Sequence, residues 1–436
     1  MDVKNIKPNT RVELHTKQGD FNSVILESPA AGVILVKLDS GYNIGIREED
    51  ILDIKILREK EKKQGKKQIV EFKGSNEIKL KKELPNIALV VTGGTISSKL
   101  DYKTGGVKWI TSSNELLKFY PELLGIANVS KIEIPFMKAS ENMNFNDWEK
   151  LSEVVFKLLN DPKIEGVIIT HGTDFLHYSA NALSFSLRNL NKPVVLTYSQ
   201  RSSDRASSDA RLNLICAARA AISDIAEVIL VGHANENDDF CFALRGAKIR
   251  KMHSSRRDAF KPINSEPIAR IFPDKIEFLS NYNKRDDKRK IDFKGKFNDK
   301  VALIKFYPGQ DPEILEHYLK NKYKGIVIEM SGLGHVITDG KNNWIPKLKK
   351  IIKSGLIVCA APQTLYGRLD PYVYSAGREL EKTGVIYLND MLPETAFVKL
   401  SWILADAKMK KNIKENMLKN FTGEFNNSLK SNQFLN

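Results

Sequence analysis

The most constraining feature of the chain is a repeated junction in which a continuous β-branched run stops at a glycine–threonine turn. Ile87–Val91 runs into Thr92-Gly93-Gly94-Thr95-Ile96, and Gly166–Thr170 runs into His171-Gly172-Thr173-Asp174. A short apolar run without polar alternation reads as a strand buried on both faces, the pattern of a parallel sheet covered by helices. Pro193–Tyr198 and Glu227–Gly232 are two more such runs. Between them, Asp147–Leu159 puts Trp148, Leu151, Val154, Val155, Leu158 and Leu159 on one helical face behind a predicted Asn146 cap, and Ser207–Ile222 repeats the periodicity. Alternating strands and helices predict a doubly wound α/β sheet. A second α/β series is predicted from strand Val301–Phe306, a helix opened by Asp311 and Pro312, and strands Gly325–Met330 and Leu356–Ala360.

The first sixty residues behave differently. Runs such as Arg11–Leu14, Val24–Leu26, Val33–Leu38 and Tyr42–Ile46 are broken by turn signals every ten or so residues, which predicts a small antiparallel barrel. The chain of 436 residues divides accordingly into a barrel (1–58), a basic linker (59–84), a large α/β domain (85–282), an interdomain linker (283–300) and a small C-terminal α/β domain (301–436).

Charge and cysteine content narrow the function classes. The net charge of +15 is concentrated in 57–82 (+6), 283–300 (+4) and 408–430 (+4), lysine-rich segments that read as solvated connectors and a tail. A weaker reading is contact with an RNA backbone, because phosphates ask only for nearby cations. Three separated cysteines, Cys216, Cys241 and Cys359, indicate neither a disulfide framework nor a structural zinc site. The N-terminal MDVKNIKPNTRVELH has no apolar signal core and no run approaches a bilayer span, so a cytoplasmic protein without membrane contact is expected.

In an open parallel sheet, ligands bind beyond the carboxyl ends of the strands, where both Gly-Thr turns fall. Paired glycines allow close backbone approach to a ligand while a threonine presents a hydroxyl. Taken alone, each motif is more often the mark of a plain turn, and Asp174 could serve as a simple helix cap. Neither a P-loop nor a dinucleotide fingerprint follows the first strand, which demotes nucleotide binding. A threonine hydroxyl becomes a useful nucleophile only when a base takes its proton. Lys251, within RKMHSSRR (250–257), is a candidate because desolvation or adjacent cations can bring a lysine toward neutrality. The seven histidines show no metal-ligand spacing, so His171 reads as ordering its turn, and no metal is expected.

TGGTIS (92–97), SENMN (140–144), HGTD (171–174) and KMHSSRRDAF (251–260) occur in the order and rough spacing of the L-asparaginase and glutaminase-asparaginase superfamily, which the chain resembles. Within it, SSKLDYKTGGV (97–107), RSSDRASSDARLNL (201–214) and the N-terminal barrel ending in LDSGYNIGI (38–46) are similar to the archaeal D-type subunits of glutamyl-tRNA(Gln) amidotransferases. The resemblance spans essentially the whole chain. It implies two asparaginase-type α/β domains preceded by a small β-barrel. It implies Thr95 as nucleophile, Thr173 as second catalytic threonine, and Asp174 with Lys251 as the charged pair relaying its proton. Tyr102 matches a mobile-loop tyrosine contacting Thr95, with Gly105-Gly106 as hinge, and Ser140 and Glu141 match positions holding the α-carboxylate and α-ammonium of the substrate.

The implied activity is hydrolysis of L-glutamine through a threonine acyl-enzyme, supplying ammonia for converting Glu-tRNA(Gln) to Gln-tRNA(Gln). No cofactor is expected in this chain. ATP and Mg²⁺ are expected in a GatE-type partner subunit, which would also make most of the contact with Glu-tRNA(Gln). A homodimer core within a heterotetramer is implied, and Pro362–Arg378 resembles the segment lying near a neighbouring subunit. The alternative is a free-standing L-asparaginase or glutaminase with an accessory domain.

Overall fold

The computed structural model describes residues 6–8, 10–26, 32–38, 43–57, 81–100, 107–109, 121–202, 205 and 208–434. The predicted linker 59–84 falls outside the described residues as far as 80, as do Tyr102 and Gly105-Gly106. The chain forms two compact units, one from 1–80 with 98–112 and the other from 81–97 with 113–436.

In the first unit, Arg11–Thr16, Gly19–Ile25, Val33–Leu38, Asn43–Arg47 and Ile51–Ile56 form one antiparallel five-stranded sheet. Strict alternation drives it: every second residue of Arg11–Thr16 is buried, and Val12, Leu14, Ile25, Val36, Ile46 and Ile54 make the core. The fifth strand, ILDIKI, is not among the predicted runs. It pairs with the first and completes that core through Ile54.

The second unit is built on an eight-stranded sheet. Its order is Asn128–Glu133, Asn86–Val91, Gly166–Thr170, Val194–Thr197, Val228–His233, Cys241–Arg245, Ala269–Ile271 and Ile276–Phe278. The first five run parallel, and the last three extend the sheet antiparallel. The predicted parallel strands are present and buried almost throughout. The antiparallel extension is absent from the sequence reading, because its three-to-five-residue strands carry arginines and glutamate and lack the long apolar run that marks the parallel ones.

Chain order and sheet order disagree at one place. Strand Asn86–Val91 is followed by its neighbour on one side, Asn128–Glu133, and then by its neighbour on the other, Gly166–Thr170. At such a reversal the connections leave in opposite directions and a crevice opens at the carboxyl ends of the two strands. Both Gly-Thr turns sit there.

Helix Phe145–Leu159 covers the sheet with Trp148, Leu151, Val155, Leu158 and Leu159 buried. Its cap is Asn144 and not Asn146. The Asn144 side chain accepts from the N–H groups of Asn146 and Asp147, while Asp147 accepts from Asn144 N, a capping box that starts the helix two residues before the predicted place. The next predicted helix begins at Ala210, after Asp209 has turned inward to accept from the N–H groups of Gln200 and Arg201.

A four-stranded parallel sheet, Val301–Lys305, Gly325–Met330, Ile357–Pro362 and Ile386–Tyr387, forms the second α/β series. Trp344, Ile345, Leu348 and Ile351 of helix Trp344–Lys353 cover it, and helix Pro393–Ala405 joins its core to the larger domain through Leu400, Trp402 and Phe185. Among the described residues no helix is long and apolar enough to cross a membrane.

Gly166 shows how tightly the large sheet is covered. A Cβ there would stand 2.0 Å from the Ala221 carbonyl oxygen, backbone that cannot swing aside. Gly166→Ala should cost about 1–3 kcal/mol by forcing helix Ala210–Ala221 off the strand. Urea unfolding checks this, and an unchanged midpoint would mean the helix has slack.

Candidate active site

The site is assembled by backbone contact between turns. Register in the parallel pair sets Val91 opposite Thr170, so the two turns that follow start level. Thr92 bonds twice to Thr170 O, through its N–H at 3.2 Å and its hydroxyl at 2.9 Å, and Ser97 Oγ lies 3.1 Å from Thr170 Oγ1. Gly94 adopts φ +79°, and a Cβ there would meet Gly172 Cα and N at 2.5 Å. Glycine is therefore demanded twice over at 94, by conformation and by the passing backbone. Thr95 opens the short 3₁₀ turn Thr95–Ser97 directly after this contact.

The SENMN segment joins from a third direction. Lys138 N donates to Thr92 O at 3.0 Å, while its ammonium pairs with both oxygens of Asp147 at 2.8 and 2.9 Å. The capping box of helix Phe145–Leu159 is thus tied to the first Gly-Thr turn. Ser140 is buried and accepts at Oγ from Phe175 N, 3.2 Å away, and a Cβ on Gly172 would touch it at 3.1 Å. Glu141 is exposed. The two adjoin a cavity of about 300 Å³ walled by Phe145, Trp148, Phe175, Tyr178, Leu303 and Phe397. Thr95, Thr173 and Lys251 do not line it, so it neighbours the reacting groups without holding them.

Lys251 closes the set. It ends the short strand Ile249–Lys251, and its ammonium donates to Thr173 Oγ1 and to Asp174 Oδ1, both at 2.7 Å. The lysine side chain is 10% exposed and the aspartate 61%, so the amine is fixed from behind while the carboxylate faces outward. Asp174 does not cap the helix that follows, whose N-cap Phe175 makes no side-chain bond. The hydroxyl, ammonium and carboxylate form one hydrogen-bonded line, an arrangement suited to moving a proton at Thr173.

His171 orders its turn as expected, through a buried relay whose other members, Ser179 and Trp148, the sequence did not announce. His171 must donate from Nδ1 to the Gly172 carbonyl at 2.7 Å, which leaves Nε2 to accept from the Ser179 hydroxyl at 2.8 Å. Ser179 Oγ in turn accepts from Trp148 Nε1 at 3.2 Å. Burial holds the His171 imidazole down at about 4, against the smaller opposing effect of its bond to Gly172. His177, in the first turn of helix Leu176–Ser186, is held at about 3 by burial and then by the nearby Arg250 and Lys251 cations. Both rings are neutral at ordinary pH. Among the described residues, no three His, Cys, Asp or Glu side chains group closely enough to hold a metal ion.

Of the residues named from sequence, Thr95, Ser140, Thr173, Asp174 and Lys251 are brought to the crevice, with Glu141 beside Ser140, while Tyr102 lies outside the described residues. Lys138, Asp147, Trp148 and Ser179 are site supports that sequence reasoning does not reach. Only the Asn-x-x-Asp spacing of 144–147 carries any signal of them.

Comparison with known proteins places the chain. The sequence profile of the asparaginase N-terminal domain matches 86–284, that of the glutaminase/asparaginase C-terminal domain matches 300–417, and that of the GatD N-terminal domain matches 6–57. The D-type subunit of glutamyl-tRNA(Gln) amidotransferase from Pyrococcus furiosus is 47% identical over 92% of this chain and 89% of its own length. Its counterpart from Thermococcus kodakarensis is 48% identical over 90% and 86%, and that from Methanosphaera stadtmanae is 40% identical over 100% and 97%. Among solved structures, the thermostable L-asparaginase from Thermococcus kodakarensis covers 79% of this chain and all of its own at a TM-score of 0.69 with 28% identity. L-asparaginase I from Vibrio cholerae gives a TM-score of 0.66 at 28% identity over 79% of this chain and 99% of its own.

The two buried imidazoles make a pH prediction. An unfolded histidine titrates near 6.5, whereas these do so at about 4 and about 3. The unfolded chain therefore binds more protons in the interval. Their contribution to stability is full above about 6.5 and is lost as pH falls from there through 4. The urea midpoint should fall steadily between pH 7 and pH 4.5; a flat midpoint would contradict neutral burial.

Proposed function

Because the chain belongs to the GatD family of glutamyl-tRNA(Gln) amidotransferase subunits, built on the asparaginase fold, we propose that it is the glutamine-hydrolysing subunit, making ammonia for amidation of Glu-tRNA(Gln). The observation that carries the reading is the junction of Lys251 Nζ with Thr173 Oγ1 and Asp174 Oδ1 at 2.7 Å, beside the turn that presents Thr95.

The chemistry is acyl transfer. Thr95 Oγ attacks the side-chain carboxamide carbon of glutamine, and the oxyanion is met by backbone N–H groups of the glycine turns. Thr173 supplies the proton with which ammonia leaves. Lys251, already donating to Thr173 Oγ1, replaces that proton, the proton that Thr95 gives up as its Oγ bonds to carbon restores the lysine ammonium, and Asp174 steadies that charge. Water then cleaves the ester to glutamate. Ser140 and Glu141 receive the carboxylate and ammonium of the substrate, as an anion beside a cation requires.

Glutamine hydrolysis alone does not activate a carboxylate. No P-loop or dinucleotide fingerprint occurs in the chain, so activation of the tRNA-bound glutamate falls to a GatE-type partner carrying ATP and Mg²⁺. Glutamine turnover should rise strongly when that partner and Glu-tRNA(Gln) are added. Full, partner-independent turnover of asparagine would instead identify a free-standing asparaginase.

Thr95→Ala should lower ammonia release by a factor of roughly 10³ or more, and Lys251→Ala by on the order of 10²–10⁴, both with the far-ultraviolet dichroism of the parent. Wild-type turnover in either variant would remove that residue from the mechanism.

A further inference from the structure

The strand that carries Lys251 is weakly held by its own ladder. Ile249–Lys251 is three residues long and, among the described residues, pairs with Phe260–Pro262 alone, in a two-stranded ribbon separate from the eight-stranded sheet. So short a ribbon does little to fix where a long flexible side chain ends. Its position is set from the C-terminal α/β series.

Three bonds reach it and the 3₁₀ turn Gly246–Lys248 that leads into it from one place, the approach to and first turn of helix Pro393–Ala405. Asp390 Oδ2 accepts from Lys248 Nζ at 2.6 Å, with side-chain exposures of 0% and 1%. Glu394 Oε1 lies 3.2 Å from Arg250 Nη1, and Thr395 Oγ1 donates to the Ala247 carbonyl at 3.2 Å. Lys248 and Arg250 thus point toward the C-terminal series, while Lys251 points to Thr173 and Asp174. Arg250 and Lys251 are successive residues of the strand and face opposite ways, so gripping Arg250 on one face aims the Lys251 amine on the other.

The Glu394–Arg250 contact is a costly way to hold a chain. Glu394 is 5% exposed, and its Oε2 is buried without a hydrogen-bond partner. Desolvating a carboxylate for one guanidinium at 3.2 Å gains little for stability alone. We infer that Glu394, acting through Arg250, is a positioning residue that sets Lys251 against Thr173 and Asp174. The inference rests on the role given to Lys251 above. It makes glutamine turnover depend on the seating of the C-terminal series, which brings none of the residues proposed to touch substrate.

The test compares Glu394→Gln, Arg250→Gln and Arg250→Lys in the full chain with its partner subunit, with Lys251→Ala alongside. Misplacement by about 1 Å can cost on the order of 10²-fold. Glu394→Gln and Arg250→Gln should therefore each lower kcat by roughly ten- to a hundredfold while KM for glutamine stays within about twofold. Arg250→Lys, which still offers a cation, should recover most of the rate. Wild-type kcat in both glutamine variants overturns the inference. So does a rise in KM in proportion to the fall in kcat, or an Arg250→Lys enzyme no better than Arg250→Gln. If either glutamine variant does not fold, the remaining one with Arg250→Lys decides. Undiminished turnover in Lys251→Ala would defeat the reading of the site itself, whereas loss there with full turnover in the glutamine variants defeats only the positioning role.

Discussion

The site depends first on a backbone approach, Gly94 against Gly172. A Cβ at 94 would lie 2.5 Å from the opposite chain segment, so the two turns can be this close only with bare backbone between them. The approach is prepared by the parallel register that levels Val91 with Thr170 and by the two hydrogen bonds that Thr92 donates to Thr170 O. It occurs where the sheet reverses its order, the one place in such a sheet where two neighbouring strand ends diverge. Two hydroxyls on different turns can then face one small molecule, which neither turn could offer alone.

Around this contact the molecule separates neutral from charged groups. Behind the turn, His171, Ser179 and Trp148 form a chain of neutral donors and acceptors in which each bond fixes the direction of the next. A protonated His171 would have two donors and would leave Ser179 without its acceptor, so burial that suppresses protonation also preserves the geometry. In front, Lys251 and Asp174 are both charged and partly open. A neutral hydrogen-bonded wall thus stands behind the turn that carries Thr173, with the charges ahead of it.

What can be read from the sequence follows the same division. The Gly-Thr turns are legible because each follows an apolar run whose length marks a buried strand. The place of Lys251 is legible only through resemblance, since nothing in the interval from Asp174 to Lys251 encodes that the two meet. Asn146 reads as a cap because it directly precedes Asp147, but the capping box runs from Asn144 to Asp147, and Asp147 also anchors Lys138. Ile51–Ile56 escapes notice because Asp53 and Lys55 interrupt it, although that alternation is what a half-buried strand needs. Lys248, Asp390 and Glu394 are illegible for a plainer reason. Charged residues read as surface, and these are buried because partners from distant segments meet them.

Why charge should be used at that junction follows from the alternatives. An apolar pair of equal volume would pack as tightly, and replacing buried ion pairs by hydrophobic residues is often neutral or stabilising. Dispersion contacts, however, have no direction, and a strand held by them can slide with little change in energy. Asp390 cannot slide. Besides Lys248 it accepts from Asn426 N at 3.0 Å and Asn426 Nδ2 at 2.7 Å, and Asn426 Nδ2 also reaches the Asn264 carbonyl. Shifting the turn that carries Lys248 would part a buried ammonium from its carboxylate, a cost far above that of a shifted methyl group. Burial pulls the Lys248 ammonium down and Asp390 opposes it, so the cation persists because that carboxylate is in place. The turn that leads into the Lys251 strand is thus anchored by a directional bond.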